Sequence, residues 1–179
     1  MRKSLLFALI SIILFSIFIR TIPLFENAMW GADFGEYLYY TNQLIKNNHL
    51  YLKVDGWGQA YPYFPGMFIL SGTFHLISNQ HILASTLFVP ILLSSFVPLM
   101  VFVISHRLTK NWKPAILTSL FITTLAPYVY SYSQPKPETI GYFIVILILI
   151  GSLIISKKNK KILILIIPAS LALIVTHHF

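Results

Sequence analysis

Residues 81–105 read HILASTLFVPILLSSFVPLMVFVIS, a run without a single Lys, Arg, Asp or Glu. About 20 apolar residues in a helix cross the hydrocarbon core of a bilayer, so this run predicts a membrane-spanning helix. Working outward, residues 4–19, 114–130, 140–155 and 162–179 read the same way. A sixth apolar stretch, residues 61–77, is interrupted by Pro62, Pro65, Gly66, Gly72 and His75. The composition agrees. Of 179 residues, 56% are hydrophobic and 10% charged, and the mean hydropathy is +0.75. Soluble domains carry roughly 25% charge. The balance excludes a soluble globular enzyme, a disordered chain and a conventional nucleic-acid binder, because only lipid can solvate so much apolar surface. The absence of Cys excludes disulfides and thiolate metal sites.

Charge orients the spans. The formal net charge is +8, from 13 Lys+Arg against 5 Asp+Glu. Basic residues concentrate in cytoplasmic loops, so Arg2-Lys3, the set Arg107, Lys110 and Lys113, and the run Lys157, Lys158, Lys160 and Lys161 belong on that side. The last run reads as an ordinary orienting loop rather than a lipid-recognition patch. If all six stretches spanned, residues 107–113 would face outward. The conflict disappears if residues 61–77 form a re-entrant or interfacial helix, which is tolerated where protein buries it. No small-x-small cleavage site follows the first stretch, so it reads as an uncleaved anchor, closed by Arg20-Thr21-Ile22-Pro23. The expectation is an all-α, multi-pass integral protein of the cell membrane. It has about five transmembrane helices and a cytoplasmic amino terminus. Residues 24–80 form a first outer loop, a juxtamembrane helical subdomain, and residues 131–139 form a second.

This topology puts all five carboxylates outside. Glu26 and Asp55 read as solvated loop residues. Asp33 and Glu36 are spaced i, i+3, which places them on one face if the segment is helical; residues 34–45 do show helical spacing of Tyr37, Leu38, Leu44 and Ile45. Such a pair beside Tyr37, Tyr39 and Tyr40 suits a hard divalent cation, Mg or Mn, through oxygen. It also suits proton removal from a hydroxyl. The run Tyr61-Pro62-Tyr63-Phe64-Pro65-Gly66 is either a turn that opens a helix or an aromatic rim for a lipid or sugar. In Gln134-Pro135-Lys136-Pro137-Glu138, Lys136 is the one basic residue of the second outer loop, placed to meet a lipid phosphate or to pair with Glu138. Lys53, in the first loop, competes for the phosphate. Adjacent His177 and His178 point apart on a helix and do not share a metal; His75, His81 and His106 read as structural. No GxSxG, Walker A, HExxH or GxGxxG sequence occurs.

The order of these parts resembles the amino-terminal portion of the GT-C superfamily of integral membrane glycosyltransferases. The likeness is to members related to dolichyl-phosphate-mannose mannosyltransferases, aminoarabinose transferases and the RgtA/B/C/D-like domain. It rests on Gly31-Ala32-Asp33-Phe34-Gly35-Glu36-Tyr37, on the helix opener Tyr61 to Gly66, on Gln134 to Glu138 with Gly141, and on Thr176-His177-His178. Family members are longer, so residues 1–179 would be an incomplete transmembrane domain of that plan. Here Tyr63-Phe64 separates two prolines that are adjacent in many members.

The resemblance implies sugar transfer from a polyprenyl-phosphate donor to an acceptor glycan, lipid or protein on the outer face, with no nucleic-acid partner. Asp33 would be the catalytic base or a metal ligand, with Glu36 second in line. Lys136 or Lys53 would hold the donor phosphate. Tyr37, Tyr40, Tyr61, Tyr63 and Glu138 would contact substrate. The competing reading is non-enzymatic: a truncated paralogue, a membrane assembly subunit or a lipid-binding scaffold. A transporter is disfavoured because the spans carry almost no polar groups near their middles.

Overall fold

The computed structural model describes residues 3–26, 31, 33–50, 59–154 and 162–176. Among these residues every regular element is helical. Helix α1 covers Lys3–Glu26, and it continues through Arg20 and Pro23 beyond the stretch expected from hydropathy. α2, Phe34–Asn47, is the amphipathic helix that the spacing predicts, ended by Asn48 in the left-handed conformation. A 3-10 turn at Tyr61–Tyr63 leads into α3, Gly66–Ser78. α4, Ile82–Ser95, and α5, Val97–Thr109, follow each other across Phe96 as one 28-residue apolar unit. α6, Trp112–Thr124, and α7, Ala126–Ser133, are bent by 59° at Leu125. Pro127 explains the break, since it provides no N–H and suits the first turn of a new helix. α8 is Pro137–Ile154 and α9 is Leu163–Thr176.

Among the described residues, three units are long and apolar enough to cross a membrane: α1, the α4–α5 unit and α8. The bent α6–α7 pair makes a fourth if it is one span. The expected count of five is not reached by length. α9 has 14 described residues, about 21 Å at 1.5 Å per residue, against a hydrocarbon core of roughly 30 Å. α3, with 13 residues, is shorter still, about 20 Å, in keeping with the reading that residues 61–77 do not span.

Two apolar clusters fix the two ends of the bundle. Leu9 of α1 packs with Phe102 of α5 and Ala115 of α6, and Leu5, Leu99, Val103 and Ile116 border them. The start of α1 therefore lies beside the α5–α6 turn, which puts Lys3 at the same end as Arg107, Lys110 and Lys113. The larger cluster joins Tyr37 and Tyr40 of α2, Met67 and Phe68 of α3, and Ile140 and Ile144 of α8. It sets α2 and α3 against the start of α8. The carboxylates of Asp33, Glu36 and Glu138 thus collect at the opposite end from Lys3, Arg107, Lys110 and Lys113.

Candidate functional site

Both connections at this acidic end meet at Gly31. Its φ is +116°, a conformation that side chains with a Cβ rarely adopt. A Cβ built there would lie 3.8 Å from Gln134 Cβ and 3.9 Å from Pro135 Cδ. The glycine therefore brings the segment before α2 into contact with the segment before α8. The second segment is itself pinned. Thr139, buried in the first turn of α8, donates its hydroxyl to the Gln134 carbonyl at 3.0 Å and its N–H to the Lys136 carbonyl at 3.0 Å.

Between the two segments lies a cavity of about 220 Å³, lined by Gly31, Asp33, Tyr37, Gln134, Lys136 and Glu138 together with Pro135. Asp33 occupies the N-cap position of α2, and its carbonyl accepts the N–H groups of Glu36 and Tyr37. Its side chain does not cap the helix, the usual use of Asp at that position. Asp33 Oδ2 instead accepts the Tyr61 hydroxyl at 2.7 Å, and the Tyr37 hydroxyl donates to Tyr61 Oη at 3.3 Å. The rings of Tyr37 and Tyr61 meet edge to face at 5.0 Å. Glu138 stands in the first turn of α8, where the helix dipole stabilises its negative charge.

This tyrosine pair feels its surroundings. Burial pushes the Tyr61 phenol up to about 12, with the Asp33 bond adding to that shift and the Tyr37 bond opposing it. Burial likewise raises Tyr37, helped by the bond to Tyr61 and by the charges of Glu138 and Asp33. Glu138 acts on both phenols, so it belongs to the same electrostatic cluster as Asp33.

The expected site residues separate accordingly. Asp33, Tyr37, Lys136 and Glu138 share the cavity, and Tyr61 joins through its bond to Asp33. Glu36, only half-buried, is not among the described lining residues, and its charge acts on Tyr40. Tyr40 has no exposed surface and packs against Phe68, with ring centroids 5.4 Å apart. Tyr63 is 60% exposed at the rim. Lys53, His177 and His178 lie outside the described residues. The carboxylate that lines the cavity with Asp33 is Glu138. No three His, Asp or Glu side chains gather to hold a metal among the described residues. A hard cation here would draw on Asp33 and Glu138, in competition with the Lys136 ammonium, and no step below passes through it.

Two features escaped the sequence. One is the bond from Tyr61 to Asp33, across 28 residues. The other is Arg20, which the sequence marks only as the end of the first apolar run. It is wholly buried on α1, with its guanidinium over the Tyr128 ring. Its signal was the apolar Ile22 to Phe25 segment beyond it, which extends the helix past the charge.

No protein-family model, curated protein or solved structure matches the chain.

Proposed function

We propose that this chain forms the outer-face transfer site of a membrane glycosyltransferase that uses a polyprenyl-phosphate sugar donor, with its amino terminus in the cytoplasm. The observation that carries this reading is the single cavity in which two separate outer connections place a carboxylate, Asp33, and a cation, Lys136. A transfer site at a membrane surface needs both groups within one cavity. Asp33 removes the proton of the acceptor hydroxyl while that oxygen attacks the anomeric carbon. The bond from the anomeric carbon to the lipid phosphate breaks, and the phosphate leaves as an anion that meets the Lys136 ammonium. Tyr61 holds Asp33 Oδ2 in place. An open apolar groove of about 460 Å³ lies between α1 and the α6–α7 bend, with Ile22, Pro23, Val129 and Ser133 in its wall. Ser133 is the residue before Gln134, so a lipid tail has an apolar surface close to a phosphate held at Lys136.

The test is turnover of the purified chain with decaprenyl-phosphate sugars and a panel of acceptors. Asp33→Asn retains shape and removes the base. Transfer is expected to fall by about 10²–10⁴-fold, the range for a lost proton-transfer group, while decaprenyl-phosphate binding persists. Near-normal transfer in that variant rejects Asp33 as the base. Binding that depends on Lys136, with no transfer by the parent chain, favours the lipid-binding scaffold.

A further inference from the structure

Arg20 is the largest fully buried side chain of the molecule's described residues, and the mechanism above does not use it. It sits six residues before the end of α1, about 9 Å along the helix axis. The side chain does not extend toward the outer surface. Its Nη1 turns back to donate to the Ser16 carbonyl at 3.0 Å and the Ser16 hydroxyl at 2.5 Å. Among the described residues, Nε and Nη2 find no partner of good hydrogen-bond geometry, and the groups that act on Arg20 are the neutral phenols of Tyr128, whose hydroxyl also interacts with it, and of Tyr132. The guanidinium carbon stands 4.6 Å from the centroid of Tyr128 on α7.

Such an arrangement is a poor way to gain stability. A buried charge with poorly paired donors costs desolvation that one stacking contact does not repay, and an apolar residue of similar volume is usually as stable or more so. Ionisable groups inside membrane helices mark function by default. The question is what this one reaches. Tyr128 donates its hydroxyl to the Ser94 carbonyl at 3.2 Å, and the Ser94 hydroxyl donates to the Tyr132 carbonyl at 3.2 Å. Tyr132 lies one turn further along α7, with its ring 4.1 Å from that of Tyr128 and 5.6 Å from that of Tyr142 on α8. α7 has only eight residues, too few to hold its own direction, since short helices rely on tertiary packing. Its direction comes from these anchors, and residues 134–136 follow directly after it as a wall of the cavity.

We infer that Arg20 is a positioning residue. Through the face of Tyr128 it sets the direction of α7 and so the place of the Gln134 to Lys136 wall opposite Asp33. The inference rests on the proposed function only in taking this cavity as the site.

The test does not require turnover. The chain has no cysteine, and Asp33 and Gln134 line the cavity from its two segments, Asp33 with a φ of −107° that any side chain adopts. In the full chain carrying Asp33→Cys and Gln134→Cys, the rate of crosslinking by a short bis-maleimide reports the wall-to-wall distance. Adding Arg20→Met should slow it by about fivefold or more, the size of effect expected for a desolvated cation–π contact. The thermal midpoint of the uncrosslinked protein should hold or rise. Tyr128→Leu should slow it similarly, whereas Tyr128→Phe, which keeps the ring under the guanidinium, should restore the parent rate. Failure of the cysteine pair to crosslink with Arg20 intact overturns the shared wall and the inference with it. An unchanged rate in Arg20→Met overturns the inference, as does equal slowing in Tyr128→Phe, which would assign the effect to the Tyr128 hydroxyl rather than to the ring under the guanidinium. Tyr128→Leu alone decides the matter if Arg20→Met does not fold. The same cysteine-free parent tested for decaprenyl-phosphate transfer reads the proposed function separately, so either idea can fail while the other stands.

Discussion

Tyr61 shows how one hydroxyl couples local structure to the site. It is the first residue of the 3-10 turn that opens α3, and its O–H reaches Asp33 Oδ2 at 2.7 Å. A hydrogen bond to an ionised acceptor is among the stronger kinds, so Tyr61→Phe frees the carboxylate to rotate. Under the proposed function, transfer by Tyr61→Phe should fall by about tenfold, within the range seen when a group that orients a catalyst is lost, with donor binding little changed. A kcat that holds while KM rises would place Tyr61 against substrate instead. The phenol also has a pH signature. Unfolded, it ionises near 10; folded, near 12. Because the folded value is raised, this contribution to stability is fully present below pH 10 and is lost as pH rises toward 12. Between those values the thermal midpoint of the parent should fall more steeply than that of Tyr61→Phe. Parallel curves would show that the Tyr61 phenol is not held protonated by the fold. The sequence displayed Tyr61 as a rim residue because Pro62 and Pro65 advertised a turn. Its bond to Asp33 was hidden, because no local rule relates a turn to a carboxylate 28 residues earlier.

At the scale of elements, hydropathy and punctuation located nearly every helix. The residues that decide how those helices meet were less visible. Gly66 is an example: the sequence marks it as the end of a helix opener, whereas its role is contact with α9. A Cβ there would lie 2.5 Å from Thr176 Oγ1 and 2.9 Å from Thr176 Cα. The second contact is with backbone, so no rotamer change relieves it. Small residues permit such approach between membrane helices. Gly66→Ala should therefore force α3 and α9 apart at a cost of about 1–3 kcal/mol, the usual price of overpacking, measurable as a lower thermal midpoint in detergent. Since α3 begins just after Tyr61, the same variant should weaken the hold on Asp33. A midpoint equal to the parent's would mean that the α3–α9 contact contributes nothing. The paired acids at 33 and 36 show what local spacing leaves out. Their i, i+3 spacing puts Asp33 at the cap of α2 and Glu36 in its first turn, and says nothing of the partner that Asp33 takes from the 3-10 turn.

For the whole molecule, the distribution of charge and the packing of α1 argue for one orientation. Leu9 against Phe102 and Ala115 brings the amino-terminal end of α1 to the α5–α6 turn, so Lys3, Arg107, Lys110 and Lys113 gather at one end. Gly31 against Gln134 and Pro135 brings Asp33 and Glu138 together at the other. Under the proposed function the basic end lies in the cytoplasm, as basic residues near helix ends do, and the cavity then faces outward. The turn residues Lys110 and Asn111 and the outer residue Gln59 are all exposed, and the parent has no thiol to confuse labelling. In intact cells, Gln59→Cys should react with an impermeant maleimide, while Asn111→Cys should react only after the membrane is opened. Labelling of Asn111→Cys from outside would turn the α5–α6 end outward, and Lys3 with it, since Leu9 packs on Phe102 and Ala115. Asp33 and Lys136 would still share a cavity in that case, but it would open to the cytoplasm, where an outer-face acceptor cannot reach it.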